Sequence, residues 1–82
     1  MEQIVRTSKQ IGAAIRRCRR SAGLSQAQLG AKTRLRQATI SALEHGEQGT
    51  QLRTLIDVMT ALGLEIVLRD RSKATDNIEN LF

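Results

Sequence analysis

The sequence predicts a compact all-α domain, and three observations carry that prediction. Ile, Leu, Val and Ala recur at intervals of three and four along the chain, which lays them on one side of successive helices. Proline is absent, and the one aromatic residue is Phe82, so helices are not interrupted and the core is aliphatic. The chain has 82 residues, 40% of them apolar. That suffices for one modest core near the lower size limit for independent folding, which favours self-association.

Residues 8–22 form the first helix, with Ile11, Ala14, Ile15, Cys18 and Ala22 on its apolar stripe, Ser8 as N-cap and Gly23 as stop. Cys18 is expected to be a small buried hydrophobe. In "LSQAQLG", Ser25 and Gln28 make a capping box and Leu24 can staple onto Leu29, which starts a short helix over residues 26–32. After the break "TRLR", residues 37–45 form a third helix, held in the core by Ile40 and Leu43 and stopped by Gly46. Thr50 is the expected N-cap of a fourth helix over residues 51–62, with Leu52, Leu55, Ile56, Met59 and Leu62 on one face and Gly63 at its end.

The period then changes. Leu64, Ile66 and Leu68 alternate with Glu65, Val67 and Arg69, which is strand spacing. A lone strand needs a partner. The preferred one is a second copy, with the two strands antiparallel about a two-fold axis and Leu64, Ile66, Val67 and Leu68 at the dimer interface. Pairing with residues 2–6 and extension of the fourth helix are the alternatives. Residues 1–63 thus form the helical domain, 64–70 the dimerisation strand and 71–82 a flexible tail. Ile78, Leu81 and Phe82, set beside Asp76 and Glu79, also give that tail the look of a short docking peptide.

Charge divides the chain. Residues 1–43 hold nine Lys and Arg against Glu2 alone, a balance of +8, and residues 44–82 hold four against seven acids, a balance of −3, which together give the net +5. A basic first half suits a polyanion. One cysteine and one histidine exclude a disulfide scaffold and a structural zinc site. No cofactor is expected, and neither a phosphate loop nor a triad is present to make an enzyme. There is no apolar run of membrane-spanning length and no secretory leader pattern, so a cytoplasmic, nucleoid-associated protein with no membrane partner is expected.

Two short helices joined by a four-residue turn, with a longer helix on each side, make a helix-turn-helix. Gln26 opens the first of the pair, Gly30 lets its neighbour approach, Leu35 fills the turn, and Ile40 and Leu43 anchor the second. In such a motif the start of the second helix enters the major groove, where Gln reads adenine and Arg reads guanine. Arg36 and Gln37 are therefore expected to contact bases, with Ala38 against a thymine methyl and Ser41 at a base edge. Gln26, Gln28, Thr39, Arg34 and Arg17 are expected on phosphates. The other arginines of the first helix are expected in solvent or paired with Glu44, Glu47 or Asp57, and His45 with the dipole of the third helix.

Over residues 8–62 the text "LSQAQLGAKTRLRQATISALEHG" resembles the Xre/Cro family of DNA-binding domains, which implies a lambda-repressor-like fold of four to five helices. The sequence departs from the family pattern at Arg34, where glycine is usual, and at Arg36, where an N-capping serine is usual. A left-handed Arg34 would cost about 1 kcal/mol, which leaves a strained left-handed turn and a locally reshaped one both open. "RQATIS", followed by "ALGLEIVLRD" and a tail with a terminal aromatic, is similar to the HipB-type antitoxins. That resemblance implies a homodimer joined through C-terminal strands, which binds double-stranded operator DNA as an autorepressor and neutralises a HipA-type serine/threonine kinase toxin. The toxin would be met through Ile78, Leu81 and Phe82. The alternative is a stand-alone, phage-repressor-like repressor without a toxin partner.

Overall fold

The computed structural model describes residues 2–71, in which four helices follow one another: α1 (Ser8–Ser21), α2 (Gln26–Thr33), α3 (Gln37–Glu44) and α4 (Leu52–Ala61). The all-α helix-turn-helix fold is as expected. The tail beyond residue 71, with Ile78, Leu81 and Phe82, lies outside the described residues.

Helix α1 begins one residue earlier in its capping than Ser8 suggested. Thr7 is the N-cap, extended at φ −134°, and its hydroxyl accepts the Gln10 N–H at 3.1 Å. Gln10 stands three residues after Thr7 and returns a bond, its Oε1 accepting the Arg6 N–H at 2.6 Å. That bond goes to the residue before the cap, so α1 starts on the Thr7 hydroxyl bond without a closed capping box. In α4 the N-cap is likewise displaced, from Thr50 to Gln51, because the Thr50 hydroxyl donates to the Glu47 carbonyl at 3.4 Å in the preceding turn.

The core is Ile15, Leu29, Ile40, Leu43 and Val58, with Ile11, Leu24, Leu35, Leu55, Ala61 and Leu62 packed around it. Gly12 sets the spacing of α1 and α3: a Cβ there would lie 2.5 Å from the Leu43 carbonyl oxygen. Only glycine permits that approach. Cys18 is half-buried, and Ala22 is exposed.

Helix α4 keeps Leu55 and Leu62 of the expected stripe against the core but is rotated so that Val58 and Ala61 join them in place of Leu52 and Ile56. Val58 is fully buried, whereas Leu52 is 67% and Ile56 45% exposed. The buried row is Leu55, Val58, Ala61 and Leu62, because that side meets the core formed by α1 to α3. Leu52 and Ile56 are left on the surface.

Residues 64–71 have no regular secondary structure within the single chain, and Ile66, Val67 and Leu68 are exposed. Among the described residues no backbone hydrogen bond joins them to residues 2–6. Side chains of the two segments meet, Arg69 Nη1 lying 3.5 Å from Glu2 Oε1. Leu64 and Ile66 continue the apolar surface of Ile56 and Met59 and form a shallow groove with them.

Candidate nucleic-acid interface

The presentation of α3 is fixed by the turn before it. Ser25 Oγ accepts the Gln28 N–H at 3.0 Å while Gln28 Oε1 accepts the Ser25 N–H at 2.8 Å, so α2 starts with the complete capping box. It ends at Arg34, which adopts φ 59° and ψ 34°. Of the two turns left open, the left-handed one is found, although a side chain occupies it. The reason lies in what the turn satisfies. The Leu35 N–H reaches the Gly30 carbonyl at 2.9 Å, and Leu35 is carried inward against the core. A Cβ on Gly30 would stand 2.6 Å from the Leu35 carbonyl oxygen, so no other residue lets the turn fold this tightly over α2. Burial of Leu35 and these bonds outweigh the strain at one residue.

Arg36, the N-cap of α3, is extended and makes no side-chain cap bond. The first N–H groups of α3 are left without a side-chain acceptor from their own cap. Arg36, Gln37 and Ala38 are exposed, Thr39 is half-buried, and Ile40 and Leu43 hold the opposite face in the core. Ser41 follows Gln37 by one turn, and His45 follows Ser41 by another, so these three share a side of the helix. The His45 Nδ1 atom lies 2.7 Å from the Ser41 carbonyl and 3.4 Å from its hydroxyl. A carbonyl only accepts, so that nitrogen carries a proton, and His45 closes the C-terminal end of α3 as its sequence position suggested.

Beneath this face is a buried polar junction that position alone did not reveal. Arg19 donates from Nε to Glu44 Oε2 at 2.6 Å and from Nη2 to Oε1 at 3.0 Å, and its Nη1 donates to the Leu24 carbonyl at 2.8 Å. Gln26 Nε2 donates to Glu44 Oε1 at 3.2 Å. Three helices are thereby tied at one carboxylate: α1 through Arg19, α2 through Gln26 and α3 through Glu44. Burial by itself would raise the Glu44 carboxyl, but the bonds from Arg19 and Gln26 and the charges of Arg19 and Arg16 outweigh it, and the group is held below the usual range. The Glu44 bond raises Arg19 against the opposing effect of burial. Glu44 was among the acids expected to pair with an arginine of this helix; its depth and its bond to Gln26 were not foreseeable from the local pattern.

The structure thus exposes Arg36, Gln37 and Ala38 at the start of α3, with the half-buried Ser41 one turn after Gln37, Gln26 and Gln28 at the start of α2 and Arg34 at its end. Gln28 is occupied by capping, and Gln26 has one donor engaged by Glu44. Arg17 does not join this group. It donates to Gln3 Oε1, and at 100° per residue it lies roughly 160° around α1 from the Arg19 that faces Glu44.

These features define a helix-turn-helix protein with an exposed second helix, and the helix-turn-helix family model matches residues 15–68. The chain belongs to that family. Its structural likeness is to HipB. A chain of a HipA–HipB–O2–O3 complex is 30% identical, with 87% of this chain and 100% of the other covered at a TM-score of 0.80. A HipB variant bound to an O2 20mer gives 30% identity, 88% and 100% coverage and a TM-score of 0.81, and a HipB–O4 20mer complex gives 30%, 87%, 100% and 0.80. Comparison of the sequence with curated proteins gives no match. Among the described residues no helix is long and apolar enough to cross a membrane.

Proposed function

We propose that this protein is a HipB-like antitoxin and transcriptional autorepressor, a non-enzymatic regulator that binds operator DNA as a homodimer and neutralises a HipA-type serine/threonine kinase toxin. The observation that carries the DNA-binding part is the exposed row on α3. Gln37 and Ala38 are exposed and Ser41 half-buried one turn on, along a helix whose other side is locked by Ile40, Leu43 and Glu44. A rigid helix with a short polar row is what major-groove reading requires. Arg36 and Gln37 read bases, Ala38 meets a thymine methyl, and Ser41 reaches an edge one turn on. Gln26, Gln28, Thr39 and Arg34 position the domain on phosphates.

Residues 64–70 pair with their copy in a second chain. Support comes from the exposed Ile66, Val67 and Leu68, from the strand alternation, and from the apolar groove that Leu64 and Ile66 share with α4. The toxin is contacted by the tail through Ile78, Leu81 and Phe82; support for this part is the sequence pattern and the likeness to HipB in the HipA–HipB complex. The test is selection of bound sequences from a random duplex pool. A two-fold symmetric site with half-sites about one helical turn or a multiple apart supports the reading. Enrichment without symmetry or base preference contradicts it.

A further inference from the structure

Helix α1 carries five cations, and the structure sends them in three directions. Arg19 turns inward to Glu44, and Arg17 turns to Gln3 in the segment before the helix. Lys9, Arg16 and Arg20 remain. They are separated by seven and four residues, so at 100° per residue they fall within about 40° of one another and form one straight line. All three are exposed, and among the described residues none is in an ion pair. The line is about 16 Å long at 1.5 Å per residue.

Its place relative to α3 is fixed by two glycines. A Cβ on Gly46 would stand 2.6 Å from Lys9 Cα, and one on Gly12 would stand 2.6 Å from the Glu44 carbonyl oxygen. The α1 backbone therefore runs against the C-terminal end of α3, and the cation line borders that contact. Arg16 acts on Glu44 through its charge. The Glu44 charge is already matched by that of Arg19 in the interior, so this pair adds no net negative charge beside the line. Among the described residues there is no aromatic side chain to stack on a base, which leaves phosphate as the group these cations suit.

We propose that Lys9, Arg16 and Arg20 form a track for the phosphate backbone of duplex DNA alongside the half-site that α3 reads. The proposal rests on the DNA-binding reading above and adds to it a sequence-independent contact on α1, assigned to these residues in place of Arg17. Each phosphate that such a cation neutralises releases condensed counterions, so the track is read out in salt dependence.

The experiment measures binding of a random-sequence duplex by fluorescence anisotropy across a potassium chloride series, for the full chain and for the double variant Arg16→Gln/Arg20→Gln. Thermal melting confirms that the variant is folded. The slope of log affinity against log salt should become shallower by about 1.8, or 0.9 for each lost phosphate contact, and the conservative variant Arg16→Lys/Arg20→Lys should restore it. Arg17→Gln should leave the slope unchanged. An unaltered slope in the folded double variant, or an equal change in Arg17→Gln, overturns the track. Absence of duplex binding by the unaltered protein at low salt instead overturns the DNA-binding reading itself.

Discussion

Arg19 and Glu44, 25 residues apart in sequence, form a two-pronged buried ion pair with Nε to Oε2 at 2.6 Å, their side chains 9% and 1% exposed. Because Gln26 bonds the same carboxylate, this pair sets how α2 and α3 sit against α1. Arg19→Ala leaves the Glu44 charge buried without its partner and should destabilise the fold by about 3–5 kcal/mol. Urea unfolding followed by circular dichroism measures it, and a loss below 1 kcal/mol would show that the pair is not structural.

The same carboxylate makes stability depend on pH. Its folded-state pKa is lowered, with burial opposed and outweighed by Arg19 and Gln26. A group depressed on folding stabilises above its unfolded value, about 4.3 for Glu, and that contribution is lost as pH falls through the lower folded value. The urea midpoint should therefore decline below about pH 4, and the decline should be shallower in Glu44→Gln. Parallel profiles for the two proteins would contradict this.

Arg34 at φ 59° invites a substitution that relieves strain. Arg34→Gly removes a left-handed side-chain penalty of roughly 1–2 kcal/mol and adds a chain-entropy loss of about 0.5–1 kcal/mol. The net expectation is a stabilisation of about 0.5–1 kcal/mol, whereas a branched Val at the same position should destabilise. Thermal melting of both variants checks the sign.

Arg36 occupies a capping position without capping. Arg36→Ser should stabilise the domain by about 1 kcal/mol by supplying an acceptor for α3. The same change should weaken DNA binding, since it removes a base-reading group. Opposite movement of melting temperature and affinity is the expected result; a parallel fall in both would place Arg36 in the fold and not at the DNA.

Much of this was legible in the sequence wherever the signal was local. Ser25 and Gln28 announce their own capping box, and Gly30, Leu35, Ile40 and Leu43 mark the motif, because each acts within one turn of itself. The inward role of Arg19 was not legible, since its acceptor arrives from another helix. In α4 the expected stripe was right at Leu55 and Leu62 and wrong at Leu52 and Ile56, because a helix with apolar residues on both flanks of Leu55 can turn either flank inward, and here Val58 is the one buried. Only the neighbouring helices decide between those faces. At Arg34 the local rule left two turns open, and the burial of Leu35 decided between them. For the set proposed to meet DNA, the pattern named Arg36, Gln37, Ala38 and Ser41 together; the first three are exposed and Ser41 is half-buried one turn after Gln37. Arg17, named by charge alone, points elsewhere.

The proposed dimer places its contact in the segment after α4. Ile66→Lys or Leu68→Lys should lower the molecular mass seen by sedimentation toward that of a single chain and reduce DNA affinity with it. Helix content should be unchanged, because both side chains are exposed in the single chain. A dimer that withstands both substitutions would contradict pairing through residues 64–70.

The central claim, that α3 reads base edges, is tested most directly by the sequence preference of Gln37→Ala. On the best duplex selected by the unaltered protein, this variant should lose about 1–3 kcal/mol and become indifferent at one base pair of each half-site, while its salt slope stays the same. An unchanged preference at every position would contradict the claim.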